Sequence, residues 1–454
     1  MKKTLHYAVI ALIGLVNLFI WSSCSNKLST APDTKYLSEF HKTYFNNNVI
    51  DIVPDQLALY VDYSTCVAEG QHASFFQELV PSWTNSARRY FAIKGEVIDE
   101  HSADSTFLLL RNVSEVNYAD IKTAAERIAA GDTEGVLITD GEYYQPSIAR
   151  GNVNNPYLAE AFKTWLKKGR DIYIIAEPFE ESNRGNVFHK KRFYFVFTDS
   201  RLGGNIYDRI IQTVNLTQYP EVEEFHLSAS HPALLTEGGR QSFTPSDLLS
   251  ARVMPGDGRY EIQDWEVDWK TGIEPMLVNA MDPETGAPLP SGAPFAEGLK
   301  VDRNSFGGYR ITDIAAKVYN INQEYTDFYN IKDSGEKGSF DIAPQECEYF
   351  VKVDPEEWSR RGNISLHFDT EYYNPEPALN GSPFNYFMIQ LSVSAVESSF
   401  DKYKEMLSFD SIDVPGHQNV SVITSVQQCL TDLEIEAMVK SCPIYTIYIK
   451  SNRR

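Results

Sequence analysis

Outside its first two dozen residues this 454-residue sequence has no apolar run that could cross a bilayer, which takes roughly 20 consecutive residues. Everything beyond that start is therefore soluble in character. Positive charge is scarce as well: Lys plus Arg number 41 against 62 for Asp plus Glu, a formal charge of -21. A polyphosphate backbone would be repelled, so nucleic acid is excluded as a partner. Methionine is sparse at 7 while Tyr and Phe reach 26 and 25, a balance that favours β-rich, aromatic-packed domains over helical bundles. No Gly-x-Ser-x-Gly and no His-Glu-x-x-His occurs, and no internal repeat or heptad is visible. With 43% hydrophobic and 23% charged residues the chain is long enough for two or three domains with real cores.

The start carries an address. Lys2 and Lys3 precede an apolar run from Tyr7 to Trp21 that stops at Ser22-Ser23-Cys24, the layout of a secretory signal. Small residues directly before a cysteine resemble the lipobox of bacterial lipoproteins, in which the thiol is acylated and the peptide is cut before it. The resemblance implies a signal peptide over 1–23, lipidation (palmitate among the acyl chains) at Cys24, and a membrane anchor in the cell envelope, at the outer membrane. Each buried methylene contributes about 0.8 kcal/mol, so multiple acylation would be effectively permanent. Cleavage removes Lys2 and Lys3 and no acid, leaving 39 basic and 62 acidic side chains. Residues 24–49 are polar, contain Pro32, and read as a spacer that holds an α/β domain close to the membrane.

Residues 50–216 alternate short apolar runs with amphipathic stretches, the pattern of a buried parallel sheet with helical crossovers. Strands are expected at Leu57–Val61, Gly135–Thr139, Asp171–Ala176 and Lys191–Thr198. Helices are marked by Ile121, Ala124, Ala125 and Ile128, by Leu158, Ala161, Phe162, Trp165 and Leu166, and by Ile206, Ile210, Ile211 and Val214. Over 217–454 the rhythm changes to period two: Ile364, Leu366 and Phe368, then Phe387, Ile389, Leu391 and Val393, alternate with polar neighbours. That predicts a β-rich, sandwich-like region of one or two domains whose strands have one buried face. Glu221, Glu223 and Glu224 read as a solvated acidic surface.

In an open α/β sheet, ligands bind outside the carboxyl ends of the strands. Two acids stand there: Asp62, in Val61-Asp62-Tyr63-Ser64-Thr65-Cys66, and Asp140, in Thr139-Asp140-Gly141-Glu142. Asp62, Ser64 and Asp140 offer the hard oxygens that magnesium or another divalent cation takes. At these residues the chain resembles the von Willebrand factor A-like family. Asp62-Tyr63-Ser64 fits the start of its Asp-x-Ser-x-Ser metal motif and Thr139-Asp140-Gly141 its Thr-Asp-Gly. The resemblance implies a domain that works in adhesion or assembly, its metal completed by a partner's acidic side chain. The pattern departs at Cys66, where a third serine belongs, since thiols bind hard cations poorly. The segment Ser114 to Asp120 lacks the family's threonine, leaving Asn117 or Asp120 as oxygen donors. Both departures predict weak metal binding.

Other chemistry is available to two further sites. Cys66 could serve as the nucleophile of an envelope hydrolase if His72, His101 or His189 approached it, although no phosphate-loop arginine follows it. Trp265 and Trp269 fall on one side of an expected strand and could stack on a sugar ring, or pack in a core. Cys429 and Cys442 flank a helix signalled by Thr431-Asp432-Leu433-Glu434, and could form a disulfide in an oxidising compartment. The sequence reads best as an envelope lipoprotein that binds a protein or surface ligand and is not an enzyme, with Cys66 hydrolysis or glycan binding as alternatives.

Overall fold

The computed structural model describes residues 35–46, 57–64, 75–79, 87–102, 118–143, 152–200, 202, 204–229, 262–264, 273–278, 293–300, 307–335, 344–346, 351–368, 384–441 and 443–452. Cys24, Cys66, His72, Asn117, Trp265, Trp269 and Cys442 lie outside them.

The first sheet contains β1 (Ala58–Asp62), β2 (Arg89–Lys94), β3 (Val97–His101), β4 (Gly135–Thr139), β5 (Asp171–Asn183), β6 (Asn186–Thr198) and β7 (Glu223–Ser228), in the order β3-β2-β1-β4-β6-β5-β7. β1 pairs in parallel with β2 on one side and with β4 on the other. Every other neighbouring pair is antiparallel. The domain is α/β as expected, but the sheet is mixed rather than parallel. The reason lies at Arg184 and Gly185, whose φ values of 51° and 82° form a two-residue hairpin turn between β5 and β6. No crossover helix fits there. β7 also carries the sheet past residue 216, where the sequence places the end of the α/β domain.

Helices α1 (Leu37–Asn46), α2 (Ile121–Ala130), α3 (Ala159–Leu166), α4 (Ile206–Thr213), α5 (Asn322–Ser334), α6 (Pro355–Arg361), α7 (Ser421–Leu430) and α8 (Leu433–Lys440) follow in chain order. α2 and α3 cover one face of the first sheet with the apolar stripes read from the sequence, Ile121, Ala124, Ala125 and Ile128 on α2 and Ala161, Phe162, Trp165 and Leu166 on α3. Gly135 lets α2 approach: a Cβ there would meet Ile128 Cγ2 at 2.7 Å. Trp165 is wholly buried, and its indole N–H donates to the carbonyls of Asp171 and Thr198. The other face is covered by α4 and residues 75–79. Both faces are therefore dry, which is why β1 and β4 read as continuous apolar runs.

The C-terminal region is built on a six-stranded sheet of β8 (Ile262–Asp264), β9 (Ile273–Val278), β11 (Tyr309–Asn320), β12 (Gln345–Glu346), β15 (Phe384–Ser398) and β18 (Pro443–Asn452), in the order β12-β11-β15-β18-β9-β8. A three-stranded sheet holds β10 (Ala293–Lys300), β13 (Val351–Val353) and β14 (Asn363–Phe368), and β16 (Phe409–Asp410) pairs with β17 (Gln418–Asn419). Pairing is antiparallel except between β18 and β9. Of the expected one-sided strands, β15 differs: Phe387, Ile389, Leu391 and Val393 enter the main core, yet Tyr386 and Met388 are buried on the opposite face beneath α1 and α5. Helices thus cover both faces of this sheet, with α8 packed on β15 from the core side. Glu224, expected in solvent, lies in β7 and accepts the Tyr207 hydroxyl at 2.8 Å, while burial raises its carboxyl above the usual range.

One apolar core runs from β1 to β18 without a break. α7 packs against α3, and the amide of Leu158 donates to Ser425 Oγ at 3.2 Å. Within the expected spacer, residues 37–46 form α1, which is pinned to the six-stranded sheet: Phe40 is wholly buried against Tyr325, Phe328 and Tyr448, and His41 Nδ1 lies 2.9 Å from the Tyr448 hydroxyl.

Candidate functional site

The strand order reverses at β1. From β1 the chain adds β2 on one side, then crosses to β4 on the other, so the gap between the carboxyl ends of β1 and β4 is the topological switch point. Asp62 ends β1 and Asp140 follows β4. The structure brings both together with Ser64, all three buried. Asp62 accepts the Ser64 amide on Oδ1 and the Thr139 hydroxyl on Oδ2, both at 2.7 Å. Asp140 Oδ1 accepts the Glu142 amide at 3.0 Å. The Asp-x-Ser and Thr-Asp-Gly segments thus interlock through Thr139.

Gly141 explains its own place. Its φ is +76°, and a Cβ would stand 2.9 Å from the Phe193 ring and 3.3 Å from Phe409. Only glycine lets Asp140 and Glu142 turn into the site.

Three residues that sequence reading did not assign complete it. Lys190 in β6 is wholly buried, with its ammonium 3.0 Å from Glu142 Oε2 and 3.7 Å from Asp140 Oδ2. Because Thr139 pairs with Phe193, Lys190 stands beyond the carboxyl end of β4, on the arm that the hairpin extends past the sheet. Tyr157, in the turn before α3, donates its hydroxyl to the Gly141 carbonyl at 2.6 Å. The signals were present in the sequence, Lys190 as a basic residue abutting a strand and Glu142 directly after the Thr-Asp-Gly, but nothing local joins them.

The electrostatics follow from crowding. Burial, then the neighbouring Asp140 charge, pushes the Asp62 carboxyl up to about 7. Burial also raises Glu142, with Lys190 pulling it back and Asp140 adding to the rise. Tyr157 is held well above the phenol range by burial and by the three carboxylates. Two of the site's oxygens stay buried without a hydrogen-bond partner, Ser64 Oγ and Asp140 Oδ2.

The C-terminal region roofs this end of the sheet. Phe409 packs on Phe193 and beneath the Lys190 ammonium, 4.5 Å from its ring centroid. The His189 amide donates to Asp410 at 2.7 Å, and the Ile412 amide to Glu142 Oε1 at 3.3 Å. A cleft of about 500 Å³ runs between the β5–β6 arm and this roof, lined by Phe179, Glu180, His189, Lys190, Phe409 and Asp410 among others.

Magnesium, the ion the resemblance implies, can be tested on charge and donor type. Asp62, Asp140 and Glu142 carry three negative charges when ionised, and Lys190 balances one. Two remain, the charge of one divalent cation, beside two oxygens that lack partners. The donor set fits, with Asp62, Ser64 and Asp140 as the oxygens that would hold the ion. No group of three or more His, Cys, Asp or Glu side chains suited to a metal occurs among the described residues, so the site would depend on Ser64 and water. Asp120 is not available to it: its carboxylate caps α2, accepting the Thr123 amide at 3.1 Å and hydroxyl at 2.7 Å.

The other candidates divide. Cys66, His72, Trp265 and Trp269 fall outside the described residues. His101 pairs with Tyr90 at the amino end of β2, away from Asp62, while His189 is at the site end with an exposed imidazole 3.8 Å from Glu180. Cys429 is a buried thiol in α7, raised to about 12 by burial; its expected partner Cys442 is not among the described residues. The helix signal near it is real, with Asp432 rather than Thr431 as the N-cap of α8, because its carboxylate accepts both the Glu434 and Ile435 amides. Compared with known proteins, the chain matches no family model, no curated protein and no solved structure.

Proposed function

We propose that this chain is a lipid-anchored protein of the bacterial cell envelope, held at the outer membrane through Cys24. It acts in binding and assembly through a von Willebrand factor A-like domain rather than as an enzyme. Its partner is a protein or surface ligand. The observation that carries the reading is the strand-end site, where Asp62, Ser64 and Asp140 converge with Glu142, the three carboxylates bringing, when ionised, two negative charges more than Lys190 can balance. A divalent cation bound there would tie the end of β1 to the end of β4. Burial of all three donors, and the roof of Phe409 and Asp410, direct the partner to the surface around the site rather than to the ion itself. The anchor is supported by Lys2-Lys3, the apolar run and Ser22-Ser23-Cys24.

The test is melting temperature against magnesium and manganese. A ligand at ten times its dissociation constant stabilises by about 1.4 kcal/mol, a rise of a few degrees. The wild-type protein should show that rise at millimolar metal, Cys66→Ser should increase it by supplying a hydroxyl, and Asp62→Ala should abolish it. Unmoved melting in both wild type and Cys66→Ser would refute a cation at this site.

A further inference from the structure

The anchor and α1 together fix which side of the protein meets the membrane. α1 is held on the six-stranded sheet by Leu37 and Phe40 in the core and by ion pairs from Lys35 to Asp333 (2.6 Å) and from Glu39 to Lys332 (2.7 Å). At the rim of the layer it makes with α5 stand four half-buried tyrosines, Tyr36 packed edge-on to Tyr329, with Tyr44 and Tyr319, while Tyr325 and Tyr386 are buried inside the layer. Aromatic rings with a polar tip suit the boundary between headgroups and water.

Chain length decides the orientation. Ten residues lie between Cys24 and Lys35, so eleven Cα-to-Cα steps join them. Fully extended at about 3.5 Å per residue, they reach at most about 38 Å. A globule of this size has a radius of about 28 Å, so a tether leaving one side would need about 90 Å to bring the opposite side to the bilayer. The layers identify that opposite side. α1 and α5 cover the face of the six-stranded sheet turned away from the main core, and α4 covers the face of the first sheet turned away from it. Among the described residues they are the two outermost layers.

We propose that the α1–α5 face, with its tyrosines and its ion-paired Lys35 and Lys332, lies against the bilayer, and that the α/β domain with its strand-end site projects away from it. The inference rests on the lipid anchor at Cys24 and reverses the expected arrangement, in which the α/β domain is closest to the membrane.

The experiment uses the full, lipidated protein in phosphatidylethanolamine–phosphatidylglycerol vesicles. A spin label is placed at Asn330→Cys on α5 or at Gln212→Cys on α4, both exposed positions, with the unsubstituted protein as background. Relaxation by a nickel-chelating headgroup should be at least fivefold stronger at position 330 than at 212. Phe40→Ala, which frees α1 and lengthens the tether, should bring the two values within twofold of each other. Equal or reversed relaxation in vesicle-bound protein with α1 intact overturns the orientation while leaving the anchor standing. Protein that carries no fatty acid, or that binds vesicles equally well as Cys24→Ala, overturns the anchor and the orientation with it.

Discussion

β4 has a buried acid at each end, and the two are held in different ways. Glu134, just before the strand, accepts the Thr198 hydroxyl at 2.6 Å and the amides of Asp199 at 3.3 Å and Ile206 at 3.1 Å. Its donors are neutral, and one of them is the first amide of α4, whose dipole favours a negative charge. Asp140, just after the strand, has one oxygen on an amide and the other on nothing closer than an ammonium at 3.7 Å. Burial raises the Glu134 carboxyl, but the donors on it pull the other way. Glu134 is finished as a piece of structure. The Asp140 end depends on charges, and it has charge left over.

That contrast can be broken by removing the cation. Lys190→Met should cost about 3–5 kcal/mol in urea unfolding at pH 7.5, because Glu142 and Asp140 lose their only buried counter-charge among the described residues. Part of the loss should return at pH 5, because burial already raises the Glu142 carboxyl and without Lys190 it takes up a proton instead. A cost below 1 kcal/mol at pH 7.5 would show that the acids are balanced from elsewhere.

At the other end, Glu134→Ala strands two amides and a hydroxyl and should cost about 2–3 kcal/mol. Magnesium should stabilise this variant by the same increment as wild type. A changed increment would mean that the two ends of β4 are coupled.

The smallest effect should come from Asp62→Asn, measured in chelator. Asp62 has a folded value raised to about 7, so the native state holds its proton more tightly than the unfolded chain does. Its contribution is therefore fully present below the unfolded value near 4 and is lost as pH rises through 7. Asparagine removes that penalty, at most about 4 kcal/mol, but weakens the bonds from Ser64 and Thr139, so the variant should end about 1 kcal/mol more stable than wild type at pH 8, with the advantage gone at pH 4. A variant less stable at pH 8 would mean that the Ser64 and Thr139 hydrogen bonds outweigh the charge repulsion.

Much of the first sheet was legible because its cause is local. β4 falls at Gly135–Thr139 as read, and α2 buries Ile121, Ala124, Ala125 and Ile128 because a 3.6-residue period needs no knowledge of the partner. The β5–β6 arm was legible only at its root. Its outer part carries Glu180, Glu181, His189 and Lys190, which look like a loop until the Arg184–Gly185 turn is seen to zip them into register. The same limit divides the site. Asp62, Ser64 and Asp140 could be read from two short motifs placed at strand ends, whereas Lys190 and Phe409 reach them from other strands, at sequence distances that no period or spacing encodes. α1 was missed for a related reason, since Leu37 and Phe40 declare an apolar face only once Tyr448 is there to receive it.

The position of β18 has a consequence for how the chain must be made. It comes later in the sequence than the other described strands, yet it fills the middle of its sheet, between β15 and β9. Until residues 443–452 exist the sheet has a gap at its centre, the β8–β9 pair has no strand joining it to β15, and Phe40 of α1 lacks its Tyr448 contact. Such long-range closure is slow and comes last. A chain built this way stays open in one half throughout synthesis, and the docking of α1 waits until the sheet behind it is whole.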